Sequence, residues 1–180
     1  MEKIWKVKEQ GDINVIKHLS VALNVNMVIA NLLAQRGINS FAEARSFFRP
    51  QLSDLHDPFL MKDMDKAVAR LERAVREQEK VLIYGDYDVD GTTSVALMYQ
   101  FLRSRIVNLD FYIPDRYTEG YGISPRSIEY AAEKRFSLVV VLDCGIKAVE
   151  KIAQAREKGI DFIICDHHNP DEKIPEAVAV

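Results

Sequence analysis

From residue 64 onwards, short and mostly apolar runs alternate with longer segments whose apolar residues recur every three or four positions. The runs are VLIYG (81–85), LDFYI (109–113), SLVVVLD (137–143) and IDFIIC (160–165). Runs this short and this continuous predict strands buried on both faces. Between and around them, MDKAVARLERAVREQEK (64–80) places Met64, Ala67, Val68, Leu71, Ala74 and Val75 on one face of a helix. GTTSVALMYQFLRSR (91–105), SPRSIEYAAEKR (124–135) and IKAVEKIAQAREK (146–158) predict three more helices. Ser124 and Pro125 suit the N-cap and first position of their helix, and Gly159 suits a stop. EAVAV (176–180) reads as a strand beginning. Strands alternating with helices in this way make βαβ units, so the fold class is α/β, a Rossmann-like parallel sheet flanked by helices.

Residues 1–60 read differently, as a small helical and loop-rich N-terminal segment. NVNMVIANLLAQRGI (24–38) places Val25, Val28, Ile29, Leu32 and Leu33 at helical spacing, with Gly37 as its stop. SFAEARSFFRP (40–50) opens on Ser40 with Glu43 three residues on, a capping-box pattern, and ends before Pro50. QLSDLHDPF (51–59) reads as an extended connector. No chemistry is visible here, and the segment reads as a packing appendage.

Composition adds bounds. Apolar residues make up 48% of the 180, enough for a core. No apolar stretch approaches the roughly 18 residues that span a bilayer, and MEKIWKVKEQ lacks the apolar region of a signal peptide. A cytoplasmic protein without a membrane partner is expected. The net charge of −3 lends nucleic-acid binding no support, although bound cations would reverse the sign of a local acidic site. Cys144 and Cys165 sit in or beside apolar runs, without a CxxC pair, and read as reduced packing residues rather than zinc ligands.

The candidate chemistry lies where the strands end. A parallel sheet binds ligands at the carboxyl ends of its strands. The first strand runs into GDYDVDG (Asp86, Asp88, Asp90), the third into DCG (Asp143) and the fourth into CDHHNP (Asp166, His167, His168). The second delivers Asp115, Arg116 and Glu119 in IPDRYTEGYG. Carboxylates gathered this closely cannot all stay ionised without compensation. One or two divalent cations supply it, and mixed Asp and His ligands suit Mn²⁺ or Mg²⁺. Two such ions roughly 4 Å apart clamp a phosphoryl group, which points to phosphoester hydrolysis. Taken singly, each strand end also reads as a solvated acidic turn or a capped loop. DVDGT (88–92) also matches the DxDGT of haloacid-dehalogenase-type phosphatases, but there the strand runs directly into the first Asp, whereas VLIY runs into Gly85 and Asp86.

With GDYDVDGTTS, LDCGI and CDHHNP in this order, together with IPDRYTEGYGIS and LSDLHDPFLMKDMDKAV, the chain resembles the DHH phosphoesterases, and within them the RecJ-type single-strand-specific exonucleases. The resemblance covers nearly the whole chain. It implies a DHH domain over 61–180 and a Mn²⁺ or Mg²⁺ two-metal site. Asp88, Asp90, Asp143 and His167 are its implied ligands, with Asp86 in support and Asp166 and His168 behind them or facing phosphate. Relatives outside the RecJ branch carry a histidine four residues before the first ligand Asp, where this chain has Tyr84. Arg116 and Arg126 flank the loop at the same edge and are the candidate phosphate contacts, with Tyr117 and Tyr121 available for base stacking. Arg103 and Arg105, at a helix end, are weaker candidates.

The implied activity is 5′-to-3′ degradation of single-stranded DNA in repair and recombination, with a single-strand-binding protein and a helicase as partners. A DHH enzyme acting on short oligonucleotides or cyclic dinucleotides is the alternative. The family's fourth motif, with a further ligand Asp, its second domain and an OB-fold would all follow Val180. The domain is therefore expected to be truncated on its C-terminal side, its metal site incomplete, and the 180 residues alone inactive.

Overall fold

The computed structural model describes residues 4–180 and divides between Asp57 and Pro58 into two compact units. The expected N-terminal segment begins on three residues that lie outside the described range. The first unit holds three helices, α1 (Ile13–Leu23), α2 (Met27–Ala34) and α3 (Phe41–Phe48). Its core is Ile16, Leu19, Ala30, Leu33, Ile38 and Ala44. Asp12 caps α1 and Asn26 caps α2 through side-chain oxygens. The capping box expected at α3 is formed in both directions, Glu43 N–H to Ser40 Oγ at 3.2 Å and Ser40 N–H to Glu43 Oε2 at 3.0 Å. The expected face of α2 is turned. Val28, Ile29 and Leu32 are exposed, and Ala30 with Leu33 is buried. The connector 51–59 is not extended throughout, since Leu52–Asp54 and Pro58–Leu60 each close a 3-10 turn.

The second unit is the α/β body. Helix α4 (Met64–Glu77) leads into β1 (Val81–Gly85), α5 (Val89–Leu102), β2 (Leu109–Tyr112), α6 (Pro125–Glu133), β3 (Leu138–Leu142), α7 (Val149–Glu157) and β4 (Asp161–Cys165). All pairings are parallel, in the order β2-β1-β3-β4. Ala179 bridges Ile163 in parallel, so the strand expected at the end of the chain is begun beside β4.

Alternation along the strands divides the core. Val81, Ile83, Val140 and Ile163 face Ala74 of α4 and Val95 and Leu102 of α5. Leu82, Tyr84, Val141 and Ile164 face Ile128 of α6 and Ile152 of α7. Each such aliphatic side chain contributes roughly 1.5–3 kcal/mol when fully buried. Because β1 is followed on one side by β2 and β3 lies on its other side, the chain reverses its winding between β1 and β3. That reversal opens a crevice at the carboxyl ends of these two strands.

One polar device sits at the opposite edge. Arg70, on the inner face of α4, is 6% exposed. Its Nε donates to Asp161 Oδ2 at 2.6 Å and its Nη2 to Glu79 Oε2 at 2.7 Å. Glu79 lies just before β1 and Asp161 begins β4, so one guanidinium ties the amino ends of two strands to α4.

Candidate metal centre

The strand ends are in register. Gly85 pairs with Leu142 and Leu142 with Cys165. Asp86, Asp143 and Asp166 are therefore each the first residue past a paired strand end, at one level of the sheet. Asp143 takes a left-handed backbone, φ 62°, with its N–H bonded to Cys165 O at 2.8 Å. Asp tolerates this conformation, and it turns the chain at the mouth of the crevice.

The approach of α5 depends on glycine. The helix starts at Val89, two residues earlier than the sequence suggests, because Asp88 is its N-cap and accepts from Gly91 N–H at 3.0 Å. A Cβ on Gly91 would stand 2.3 Å from Asp86 O and 2.6 Å from Asp86 N, so only glycine lets the first turn close over Asp86.

Asp143, His167 and His168 each present a ligand atom, and these atoms lie within 4.8 Å of one another. His167 Nε2 is 3.1 Å from Asp143 Oδ1. His168 Nδ1 is 2.7 Å from Asp166 Oδ1, and Tyr121 Oη is 3.3 Å from the same ring nitrogen. Asp166 is otherwise engaged by the N–H groups of His168 at 3.0 Å and Ile146 at 2.9 Å. Burial alone would raise the Asp166 carboxyl, but these donors outweigh it and hold it below the ordinary range. Asp166 thus holds the His168 ring, which presents a ring nitrogen beside Asp143 and His167.

Asp88 and Asp90 lie outside that three-residue group. Both act on Asp143, whose carboxyl is pushed up by burial and then by these neighbouring charges. Asp88 itself is lowered, chiefly by the Gly91 N–H. Asp86 is 1% exposed and raised, first by burial and also by Asp88. Among the described residues its Oδ1 has no hydrogen-bond partner, and it is buried. A buried acceptor without a donor, beside carboxyls that burial and neighbouring charges push up, is the environment a cation relieves. Oxygen and imidazole donors of this kind fit Mn²⁺ or Mg²⁺. Cys144 is buried, its thiol pushed far up by burial, and among the described residues neither cysteine joins the group.

Tyr84, at the position where the resemblance marks a histidine in other branches, is engaged within the core and the loop after β2. It is buried, stacked on Tyr112 at 5.7 Å, and donates to Gly122 O at 2.7 Å. The loop after β2 is further tied by Glu119, which accepts from Tyr112 Oη at 2.8 Å, Ser124 Oγ at 2.6 Å and Asp115 N–H at 3.0 Å. The charge of Arg126 acts on Asp115 and Glu119 in that loop and on Tyr112 at the end of β2. Arg116 lies over the Tyr87 ring at 4.4 Å, and its charge reaches Asp88. Neither the Tyr84 nor the Tyr87 contact is visible in the spacing of motifs. The only sequence signal was a tyrosine in an otherwise acidic or apolar stretch.

Residues 80–180 match the model of the DHH family, N-terminal domain. The single-stranded-DNA-specific exonuclease RecJ of Bacillus subtilis is 40% identical over 176 residues, 98% of this chain and 22% of that protein. Its counterpart in Escherichia coli is 34% identical over 154 residues, 85% of this chain and 26% of that protein. The crystal structure of RecJ in complex with Mn²⁺ from Thermus thermophilus superposes with a TM-score of 0.71 at 25% identity, covering 97% of this chain and 24% of that one. An exonuclease RecJ bound to manganese superposes at 0.62 and 32% identity, covering 67% and 31%. The chain thus spans between 22% and 26% of the two curated relatives.

Proposed function

The chain belongs to the DHH family, and from that premise we propose that it forms part of a metal-dependent exonuclease acting on single-stranded DNA. The observation that supports this most is the register of β1, β3 and β4, which gathers Asp86, Asp88, Asp90, Asp143, His167 and His168 at the sheet's switch point. Relatives with this domain are named as single-stranded-DNA-specific exonucleases, and two related structures hold manganese.

Asp88, Asp90, Asp143 and His167 are assigned as metal ligands, with His168 beside them. Asp86, with its buried Oδ1, would support those ions by hydrogen bonding or through water. Bound divalent cations would supply charge neutralisation and Lewis acidity at a phosphodiester. The protein's own contribution is placement. Asp166 fixes the His168 ring, the Gly91 turn holds Asp86 and Asp88 close, and Glu119 keeps the substrate loop folded. Arg116, whose charge reaches Asp88, and Arg126, whose charge acts on the loop after β2, are the proposed phosphate contacts. Digestion from the 5′ end, service in repair and recombination in the cytoplasm, and work beside a single-strand-binding protein and a helicase complete the reading. Among the described residues no helix is long and apolar enough to cross a membrane.

Incubating the intact protein with Mn²⁺ and end-labelled single strands tests it. Mononucleotides released progressively from the 5′ end are expected. Turnover of dinucleotides alone, with long strands untouched, would overturn the exonuclease reading in favour of a small-substrate phosphoesterase.

A further inference from the structure

Tyr87 stands between two aspartates of the centre yet contributes no ligand atom. It is half-buried, and the guanidinium of Arg116 lies over its ring, 4.4 Å from the centroid. Arg116 follows Asp115, whose carboxylate accepts the N–H groups of Tyr117 at 3.0 Å and Thr118 at 2.8 Å. This closed turn sends the arginine out of the loop, and the guanidinium then comes to rest on the ring. Among the described residues Arg116 forms no ion pair.

The two ways of holding an arginine have different consequences. A carboxylate partner occupies the in-plane N–H donors that would grip phosphate. An aromatic face holds the cation by its plane and leaves the edge donors free. Beside a cluster of carboxylates, an unheld guanidinium would be drawn onto Asp88 or Asp90. Stacking on Tyr87 keeps it near them without that collapse.

Resting on the reading of this centre as a nuclease site, we propose that Tyr87 is a positioning residue, a shelf that presents the free edge of Arg116 to a phosphate of the single strand. The phenol hydroxyl plays no part in this, and the aromatic face is the whole of the requirement.

Tyr87→Phe and Tyr87→Leu in the intact protein separate the shelf from simple packing, because both keep an apolar side chain there and only one keeps a π face. With a 5′-phosphorylated oligonucleotide and Mn²⁺, Tyr87→Phe is expected to retain the wild-type KM. Tyr87→Leu is expected to raise KM about fivefold, the scale of one cation–π contact, with kcat little changed. In an Arg116→Ala background, Tyr87→Leu should add nothing. A second readout does not depend on turnover. The Arg116 Nε–Hε resonance, displaced by the ring current in wild type and Tyr87→Phe, should move to the ordinary arginine position in Tyr87→Leu. Equal KM values for Phe and Leu, additive effects in the double variant, or an unmoved resonance would each overturn the proposal. Absence of any cleavage by wild type while the resonance moves as expected would instead sink the nuclease reading and leave the Tyr87–Arg116 contact standing.

Discussion

His167 Nε2 stands 3.1 Å from Asp143 Oδ1, joining the loop after β4 to the residue that ends β3. The two side chains are unequally held, the carboxylate 8% exposed and the imidazole 73%. The carboxylate is therefore the fixed half of the pair. It also carries the repulsion of Asp88 and Asp90.

Replacing that fixed half gives the first prediction. Asp143→Ala should lower Mn²⁺ affinity of the intact protein more than about a hundredfold, since even the outer partners of metal ligands contribute 10–100-fold. Single-strand cleavage should fall with it. The melting temperature without metal should change little, because removing a crowded carboxylate is offset by the strain of alanine at φ 62°. Activity within a few-fold of wild type would remove Asp143 from the ligand set.

A second prediction follows from the contact between helix and strand end. In Gly91→Ala the new methyl meets Asp86 backbone atoms at 2.3 and 2.6 Å, and backbone cannot swing aside as a flexible side chain can. Overpacking of this kind costs about 1–3 kcal/mol. Chemical denaturation should report that loss, and calorimetric titration should show weaker Mn²⁺ binding at a temperature where the variant is folded. Unchanged stability would mean that α5 does not press on Asp86 as described.

The sequence makes the sheet legible because both-face burial leaves an unmistakable trace in VLIYG, SLVVVLD and DFIIC. It makes the site legible because a parallel sheet sends all its strand ends to one edge. The exact register that levels Asp86, Asp143 and Asp166 is a property of strand pairing, which no single run encodes. The turned face of α2 has a similar cause. A short helix rich in apolar residues all round offers several faces, and packing against α1 chose Ala30 and Leu33. The closeness of His168 to Asp143 and His167 is likewise set by the loop after β4, since residues 166–168 have already left the strand. Arg70 was illegible for another reason. Its partners Glu79 and Asp161 are charged residues of ordinary appearance until the fold brings them together.

That buried arginine supports a third prediction. Arg70→Ala should cost roughly 3–5 kcal/mol, the range for breaking a buried pair and leaving its partner uncompensated. Urea unfolding measures it. The network lies at the amino ends of the strands, so Mn²⁺ affinity of the folded variant should match wild type. A stability loss below about 1 kcal/mol, the range of an exposed pair, would show that water reaches Glu79 freely.

Acid should act through the same network. Burial alone would raise the Glu79 carboxyl, but Arg70, Ser137 and Arg73 outweigh it and hold it below its ordinary 4.5. A carboxyl depressed in the folded state adds stability that is complete above the unfolded value and is lost as pH falls through the folded one. The melting temperatures of wild type and Glu79→Gln should therefore differ most near neutrality and converge below about pH 4.5. A gap that stays constant from pH 7 to pH 3 would mean that the Glu79 charge contributes nothing.

The last prediction concerns the carboxylate that orients a histidine. Asp166 Oδ1 accepts from His168 N–H at 3.0 Å and stands 2.7 Å from His168 Nδ1, while Oδ2 accepts from Ile146 N–H at 2.9 Å. A carboxylate at Nδ1 keeps the proton on that nitrogen and leaves the Nε2 lone pair for a metal. Asp166→Asn preserves the shape but offers only one acceptor oxygen. One side of the group must then set N–H against N–H, at either His168 or Ile146. Mn²⁺ affinity should fall by about 10–100-fold, the usual effect of losing an outer partner. Because the ligand atoms themselves remain, excess Mn²⁺ should restore cleavage in Asp166→Asn and fail to restore it in Asp143→Ala. Rescue of both variants, or of neither, would erase the distinction drawn between the aspartate that binds and the one that orients.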